Sequence, residues 1–369
     1  MLMQKGCYQM VGIAKPNLGL EEKEAVSKVI DSGIIACGSV VKDFENAFAG
    51  FIGASSGIAT TSGTTALEVA IRAAKLGKGD KILTTPFSFI ASTNSIIYTG
   101  ATPVFADIDE ESFNISPEQI ELKMQKEPDI KALLIVHLFG NPCNMDKIMP
   151  LVKKYNLILI EDCAQSHGTS WNGKKAGSFG DVSAFSFYPT KNMTTGEGGA
   201  VLSSNPDFAQ RARMLINHGM QVRYYHDIVG YNYRMTNIAA AIGLCQLNKL
   251  PAMNENRIKN ARYYNEKINN PLIKLPKHNE GHVYHQYTIQ IENGKRDAFT
   301  KYLEEHKIGY GVFYPLSIPE QKCYENMKFE IKYPVTDSVK NKVVSIPVHP
   351  LLTQPELDEV VNVINKFKA

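Results

Sequence analysis

The sequence predicts an α/β protein whose larger domain contains a mostly parallel sheet flanked by helices. Two observations carry this prediction. Between about residues 58 and 203, short apolar runs alternate with segments of helical periodicity, which is the order expected for successive β-α-β units. The predicted strands, such as LILI and ALLIV, are also nearly continuous apolar runs, and such runs are typical of sheets covered by helices on both faces.

The elements of this larger domain are predicted from their apolar patterns. A first helix is expected from about 20 to 30, because Val26, Val29 and Ile30 share a helical face behind an acidic start that suits the positive end of a helix. The elements that follow are predicted, in chain order, at TALEVAIRAAKLG (helix), KILTTP (strand), FIASTNSIIYTG (helix), TPVFADID (strand), KALLIVHLFG (strand), MDKIMPLVKKYN (helix), LILIED (strand), DVSAFSFYP (strand) and GAVLSS (strand).

A change in the sequence pattern near residue 250 predicts a second, smaller α+β domain. LNKLPAMNENRIKNARYYNEKI resembles a long polar helix, HVYHQYTIQI alternates like a half-buried strand, and KRDAFTKYLEEHKI has helical periodicity. The last helix, in TQPELDEVVNVINKF, is predicted to start with Thr353 as N-cap and Glu356 in a capping box, and to place Leu357, Val361 and Ile364 on its apolar face. We therefore assign 1–250 to the large domain and 251–369 to the small C-terminal domain.

Composition excludes several function classes. The 40 Lys and Arg residues and 37 Asp and Glu residues leave a net charge of +3, which is too small to indicate nucleic acid or a membrane surface as the main partner. No apolar run reaches the ~18 residues of a membrane span, and no signal peptide is recognised, so a cytoplasmic protein is expected. The six cysteines include no CxxC pair, which predicts free thiols. Cys163 and His167 lack a second ligand pair, so no metal site is expected.

Residues suited to one cofactor follow the predicted strands. Asp162 follows LILI, Lys191 follows SAFSFYPT, Phe89 follows KILTT, and SGTTAL begins a helix after a further strand. Ligands of open α/β sheets bind at the carboxyl ends of the strands, so these residues are expected to converge. Pyridoxal phosphate needs a lysine, a carboxylate for its ring nitrogen, an anion site and a flat ring partner. Each residue alone is more often a cap, core or surface residue, and the combination carries the prediction.

Longer motifs resemble the DegT/StrS-type sugar aminotransferases, which are pyridoxal-phosphate enzymes of the aspartate-aminotransferase fold (fold type I). The block EDCAQSHGTSWNGKKAGSFGDVSAFSFYPTKNMTTGEGGAV is similar to the signature region of that family. The further motifs SGTTAL, TTPFSFIAS, VHLFGNP, VGYNYRMTNIAAAIG, HVYHQYTIQI and SIPVHPLL occur in the same order. The likeness covers almost the whole chain, so the same fold is expected here.

The resemblance implies a role for each matched residue. Lys191 corresponds to the Schiff-base lysine, and Asp162 to the partner of the pyridinium nitrogen. The other implied cofactor contacts are Gln165 beside the phenolic oxygen, Phe89 against the ring, Ser186 and Thr64 with the Gly63 and Thr65 backbone at the phosphate, and Asn232 at the phosphate of the neighbouring subunit. The match of Asn232 implies a homodimer with shared active sites.

The resemblance also implies the two substrates. The amino donor, expected to be glutamate, would convert the cofactor to pyridoxamine phosphate, which would then aminate a keto sugar carried on a nucleotide diphosphate. The candidate substrate contacts are Tyr188, where many relatives have histidine, Arg234, Tyr314 and His349, with Arg223 as a further candidate for the phosphates. An interface ion pair for Arg234, and turn packing for Tyr314 and His349, remain alternatives.

The position of the sugar carbonyl is the least constrained expectation. GYNYRM is more similar to relatives that act on 4-keto sugars, so a 4-keto-6-deoxy sugar in cell-surface polysaccharide or glycan precursor synthesis is expected. A 3-keto-sugar aminotransferase, a related dehydratase and a non-catalytic cofactor-binding regulator are the alternatives. Lys191 argues against the dehydratase, and Lys191, Asp162 and Ser186 together argue against the regulator. The sequence does not identify the sugar, the nucleotide or the pathway.

Overall fold

The computed structural model describes residues 10–368. The strands in this part of the chain are β1 (Ser56–Thr60), β2 (Lys81–Thr84), β3 (Thr102–Phe105), β4 (Ile130–Val136), β5 (Ile158–Asp162), β6 (Ser170–Trp171), β7 (Lys174–Lys175), β8 (Val182–Ser186), β9 (Gly199–Ser203), β10 (Met220–Val222), β11 (Tyr225–His226), β12 (Ile273–Lys274), β13 (Tyr287–Ile291) and β14 (Val343–Ile346). The helices are α1 (Leu20–Asp31), α2 (Ser39–Ile52), α3 (Gly63–Ala73), α4 (Ala91–Tyr98), α5 (Pro117–Lys126), α6 (Met145–Lys154), α7 (Pro206–Leu215), α8 (Asn237–Lys267), α9 (Arg296–Glu305), α10 (Pro334–Val339) and α11 (Gln354–Lys366).

A seven-stranded sheet in the order β1-β9-β8-β5-β4-β2-β3 dominates the larger part of the molecule. β9 runs antiparallel to β1 and β8, and the other neighbouring strands are parallel. All residues of β8 and β9 are buried, because helices cover both faces of the sheet. The predicted α/β class with a mostly parallel sheet is confirmed.

A second hydrophobic core surrounds the three-stranded sheet β12-β13-β14. The C-terminal half of α8, together with α9 and α11, packs against this sheet. Val11 belongs to the same core and forms a parallel bridge with Ile308. The sequence-based boundary between residues 250 and 251 falls inside the continuous helix α8, and the division into 1–250 and 251–369 stays a prediction.

The end of the chain shows one correct and one incorrect expectation. Thr353 and Glu356 form the predicted capping box at the start of α11. The predicted apolar face was partly wrong, because Val360 and Val363 are buried with Leu357 and Ile364, whereas Val361 is only partly buried. The buried face of α11 is therefore formed by Leu357, Val360, Val363 and Ile364, and Val361 lies at its edge.

The first helix also differs from its predicted orientation. Ile30 is 57% exposed, whereas Glu22 is buried. Glu22 accepts hydrogen bonds from Lys249 Nζ and Gln246 Nε2 of α8 at 2.8 Å. Because Lys249 and Gln246 of α8 bind its carboxylate, Glu22 is buried against α8. The apolar pattern of α1 predicts a buried Ile30, which is instead exposed.

Two further expectations concern cysteines and membranes. The cysteines that the structure describes are unpaired, as predicted, and Cys7 lies outside residues 10–368. Within that range, no helix is both long and apolar enough to cross a membrane.

Candidate active site

Several loops meet at the edge of the large sheet where its parallel strands end. β5 and β8 pair in parallel with Asp162 opposite Ala184, and β4 continues the same direction with Val136 opposite Asp162. β1 has the same direction and leads into α3, while the loop after β2 leads to α4. Chain segments that are far apart in the sequence therefore contribute side chains to one edge, as expected for open α/β sheets.

Asp162 is a buried carboxylate held by two hydrogen bonds. Ser92 Oγ in α4 donates to Oδ2 at 2.7 Å, and the Ala164 N–H donates to Oδ1 at 3.0 Å. Burial raises the pKa of Asp162, while these hydrogen bonds and the Lys191 charge oppose that rise. An oriented carboxylate with little solvent around it would strongly stabilise a cation bound beside it.

The adjacent Glu161 points to the other face of β5, as strand geometry requires. Its oxygens accept hydrogen bonds from three backbone N–H groups at 2.7 to 2.8 Å and contact His137 Nε2 at 2.9 Å. Ligand atoms of His137, Glu161 and Cys163 lie within 4.8 Å of one another. The hydrogen bonds of the Glu161 carboxylate account for this cluster as a structural network, so Asp162 is the carboxylate of this strand that serves the sheet edge.

Lys191 lies on a short turn after β8, where its N–H donates to the Tyr188 carbonyl at 2.9 Å. Burial lowers the pKa of Lys191 to about 8, although the Asp162 carboxylate acts to raise it. Within residues 10–368, the Nζ atom has no hydrogen bond or ion pair. An amine with this pKa is partly deprotonated near neutral pH, so it can act as a nucleophile and as a base.

The start of α3 forms a cradle with unpaired donors. Ser62 caps the helix by accepting the Thr65 N–H at 3.2 Å, so this N–H is occupied by the cap. The N–H groups of Gly63 and Thr64 have no partner in the described part of the chain. A Cβ on Gly63 would lie 2.5 Å from Ser186 Cβ, so only glycine allows the helix start to approach β8 this closely. Free N–H groups at a helix N-terminus, beside a serine hydroxyl, suit a phosphate.

Gln165 bridges Phe139 and Tyr314, which both belong to or pack against the core of the large sheet. Gln165 Oε1 accepts the Phe139 N–H at 2.7 Å, and its Nε2 donates to Tyr314 Oη at 3.1 Å. Tyr314 is partly buried, and burial raises its pKa. The Phe89 ring is 56% exposed and its centroid lies 6.3 Å from that of Tyr314. Phe89 therefore offers an open ring face at the sheet edge.

Within residues 10–368, no hydrogen bond joins the remaining sequence-predicted side chains to those of Asp162 or Lys191. Tyr188 is 47% exposed on the lysine turn. Asn232 is exposed, and Arg234 Nη1 donates to Asn217 Oδ1 at 2.8 Å. His349 is buried in the second core, where burial and then the Arg257 charge lower its pKa to about 4. No hydrogen bond within residues 10–368 joins the His349 side chain to Asp162, Gln165 or Lys191.

Sequence reasoning missed two buried residues that hold the site. Ser92 orients Asp162, and Asn192 joins the lysine turn to α8 and to the 282–286 segment. Asn192 is adjacent to Lys191 in the sequence, which was a usable signal. Ser92 gave none, because its proximity to Asp162 depends on the strand order.

The family model of the DegT/DnrJ/EryC1/StrS aminotransferases matches residues 16–365. A dTDP-3-amino-3,6-dideoxy-alpha-D-galactopyranose transaminase from Aneurinibacillus thermoaerophilus is 38% identical, over 94% of this chain and 95% of that protein. A UDP-N-acetyl-3-dehydro-alpha-D-glucosamine 3-aminotransferase from Acidithiobacillus ferrooxidans is 35% identical, over 92% of each protein.

The solved structures include a similar molecule. The crystal structure of DesV from S. venezuelae superposes with a TM-score of 0.89 at 32% identity, over 94% of each chain. This similarity extends across both cores and agrees with the fold predicted from the sequence motifs.

Proposed function

The chain belongs to the DegT/DnrJ/EryC1/StrS aminotransferase family of pyridoxal-phosphate enzymes, and we propose that it transfers the amino group of glutamate to a nucleotide-linked keto sugar. The carrying observation is a buried carboxylate, Asp162, whose charge acts on a partly buried amine, Lys191, together with the unpaired N–H groups at the start of α3. These are the groups that a pyridoxal-phosphate aminotransferase requires.

The residues present fit pyridoxal phosphate. The Gly63 and Thr64 N–H groups and the Ser186 and Thr64 hydroxyls would hold the phosphate. Asp162 would hold the protonated ring nitrogen, and Gln165 would lie beside the phenolic oxygen. Phe89 would cover one face of the ring. The close contact between Gly63 and Ser186 supports this assignment, since any side chain at position 63 would enter the cradle.

The protein residues carry the proton transfers. When bound, pyridoxal phosphate supplies an electron sink for the carbon that loses or gains a proton. Lys191 Nζ, with its pKa lowered to about 8, removes a proton from the donor carbon and later returns a proton to the sugar carbon. Asp162 would keep the ring nitrogen protonated, and the hydrogen bond from Ser92 Oγ holds its carboxylate in place.

The first test of this proposal is an absorption spectrum before and after glutamate is added. We expect a purified protein loaded with pyridoxal phosphate to be yellow and to lose its visible band with glutamate. In Lys191→Ala, the visible absorption band should shift from its wild-type wavelength and amino transfer should be lost, while the protein stays folded. A Lys191→Ala protein with full activity would contradict the assignment, and a wild-type band that ignores glutamate would exclude glutamate as donor.

The position of the sugar carbonyl defines two candidate substrates. The GYNYRM motif supports a 4-keto-6-deoxy sugar by resemblance, whereas the names of the two relatives above indicate position 3. The glutamate-treated enzyme should be offered a 3-keto and a 4-keto nucleotide sugar at equal concentration, and the amino product should be located by NMR. Return of the visible band with only one of the two identifies the position.

We also propose that the enzyme is a cytoplasmic homodimer that makes polysaccharide precursors. Several exposed apolar side chains on the β10–β11 hairpin and the following loop support the proposal that this surface contacts a second subunit. Their exposed fractions are 61% for Val222, 74% for Tyr224, 71% for Tyr225 and 86% for Val229. We propose that a second copy covers this surface and that Asn232, which is exposed in one chain, completes the phosphate site of the partner. Arg223 and Arg234 are the candidate contacts for the substrate phosphates.

A mixed dimer tests this sharing directly. Asn232→Ala alone should weaken cofactor binding about tenfold, as expected for one hydrogen bond to a charged group. A dimer of one Asn232→Ala chain and one Lys191→Ala chain should recover about half of the wild-type activity, because one of its two sites would be intact. No recovery in the mixed dimer would show that Asn232 acts within its own chain, and an unchanged cofactor affinity of the Asn232→Ala homodimer would show that Asn232 does not contribute to the site.

A further inference from the structure

The side-chain amide of Asn192 joins three chain segments directly behind the lysine turn. Asn192 is 3% exposed. Its Nδ2 donates to Asn254 Oδ1 of α8 at 2.8 Å and to the Val283 carbonyl at 3.2 Å, and its Oδ1 lies 3.2 Å from His285 Nδ1. All hydrogen-bonding positions of the Asn192 side chain that the structure describes are therefore directed at residues outside its own turn.

The orientation of these amides follows from carbonyl groups that can only accept hydrogen bonds. The Val283 carbonyl requires Asn192 Nδ2 on its side, and the His167 carbonyl requires Asn254 Nδ2 at 2.7 Å. Asn192 Oδ1 therefore faces His285, whose Nδ1 must carry a hydrogen. The network has one consistent direction and reaches the turn that follows Asp162.

The segment 282–286 is also fixed to the site from its other side. The Val283 N–H donates to the Gly140 carbonyl at 3.0 Å, and the Gln286 N–H donates to the Phe139 carbonyl at 3.2 Å. Phe139 in turn donates its N–H to Gln165. The segment then continues into β13 of the second core. Asn192 thus ties the lysine turn to a segment that already contacts the Gln165 side of the site.

We propose that Asn192 is a positioning residue that holds the Lys191 turn against α8 and segment 282–286, and so keeps the Lys191 amine beside Asp162 and away from bulk water. The inference rests on the assignment of Lys191 as the cofactor lysine. This role explains why the buried Asn192 amide makes all its described hydrogen bonds to α8 and to segment 282–286. Loss of the amide would free the turn and let water reach Lys191 Nζ.

The test is a titration of Lys191 in the cofactor-free protein. The rate of Lys191 modification by an amine-selective acylating reagent is measured by peptide mass spectrometry between pH 6 and 9.5. In wild type we expect a midpoint near the lowered pKa of about 8. In Asn192→Ala the midpoint should rise by about 0.5 to 1 unit as the amine becomes hydrated, so the free amine at pH 7 should fall about threefold to tenfold.

The other titratable groups near Lys191 do not obscure this range. Burial lowers the pKa of His285 and lowers that of His167 to about 3, so both stay neutral above pH 6. Arg257 stays charged through most of the range, since burial lowers its pKa only to about 10. Asp162 is the remaining nearby group, and it is unchanged in the variant.

Asn270→Ala is the matched control. Asn270 is also a buried asparagine, and its Nδ2 donates to the carbonyls of Ile364 and Phe367 in the second core. We expect this variant to lose stability to a similar extent but to titrate like wild type at Lys191. An unchanged Lys191 midpoint in Asn192→Ala, with equal loss of stability in both variants, would overturn the proposal.

Two further measurements keep the test decisive. If Asn192→Ala does not fold, Asn254→Ala removes one partner of the same amide, and its Lys191 midpoint should rise by a smaller amount; no rise would also overturn the proposal. A Lys191→Ala protein that binds cofactor with an unaltered band would instead remove the cofactor-lysine assignment, while the titration of the cofactor-free protein would keep its meaning.

Discussion

Replacement of Lys191 by methionine is expected to stabilise the cofactor-free protein near neutral pH. The folded state lowers the pKa of Lys191 from 10.5 to about 8 because the amine is buried. At ~1.36 kcal/mol per pKa unit this shift corresponds to about 3 kcal/mol, and partial exposure of the side chain reduces the expected gain to about 1–2 kcal/mol. Methionine approximately keeps the side-chain volume at position 191 and removes the charge.

The stabilising effect of Lys191→Met decreases as the pH rises. The unfolded chain keeps the lysine proton up to about pH 10.4, whereas the folded chain releases it near pH 8. Wild-type stability therefore rises between these pH values. The advantage of Lys191→Met should be complete at pH 7 and reduced to roughly 40% of that value by pH 9.5.

Urea unfolding of the cofactor-free proteins at pH 7 and pH 9.5, at one protein concentration, measures this difference. Lys249→Met is a matched control with the opposite sign, because its hydrogen bonds to Glu22 and Glu21 outweigh burial and raise the pKa of Lys249. The Lys249 contribution is present at both pH values, so this variant should lose stability at both. A Lys191→Met protein that is less stable at pH 7, or whose gain does not depend on pH, would refute the reasoning.

Two further substitutions test the cradle and the carboxylate. Gly63→Ala should lower cofactor affinity at least tenfold and destabilise the protein by about 1–3 kcal/mol, because its Cβ would lie 2.5 Å from Ser186 Cβ. The control Gly50→Ala, with no atom within 4 Å of the added Cβ, should stabilise α2 by about 0.5–1 kcal/mol. Equal effects of the two substitutions in urea unfolding and cofactor titration would contradict this prediction. Asp162→Asn should retain the cofactor but slow amino transfer about a hundredfold or more, whereas Ser92→Ala should slow it less than tenfold. Equal rate losses of the two variants in single-turnover kinetics would contradict a direct role for Asp162 and a supporting role for Ser92.

The parts of the fold that depend on local signals were predictable from the sequence. Thr353 and Glu356 identify the start of α11, because a capping box is a contact between residues three positions apart. Asp162 was recognised as a site candidate because it ends an apolar strand, and the carboxyl ends of parallel strands share one edge. Both inferences need only the neighbouring sequence and a general rule of sheet geometry.

The parts that depend on distant partners were not predictable. Alternation in HVYHQYTIQI predicts a strand throughout, but β13 begins only at Tyr287, since Val283 and Gln286 bond to the Gly140 and Phe139 carbonyls instead. Glu22 looks like an exposed residue at a helix start, but it is buried against Lys249. In each case the deciding contact comes from a remote segment whose position the sequence alone does not give.

The hydrogen bond between Gln165 and Tyr314 has a consequence for protein synthesis. The two residues are 149 positions apart in the chain. At translation rates of about 5–20 residues per second, Tyr314 is added roughly 7–30 s after Gln165. Asp162 precedes this interval and Lys191 is added early in it, whereas Val283, His285 and Tyr314 are added only toward its end. Retention of the cofactor is therefore expected to begin late in synthesis, and a chain interrupted before Val283 would carry the reactive lysine without the groups that hold its turn in place.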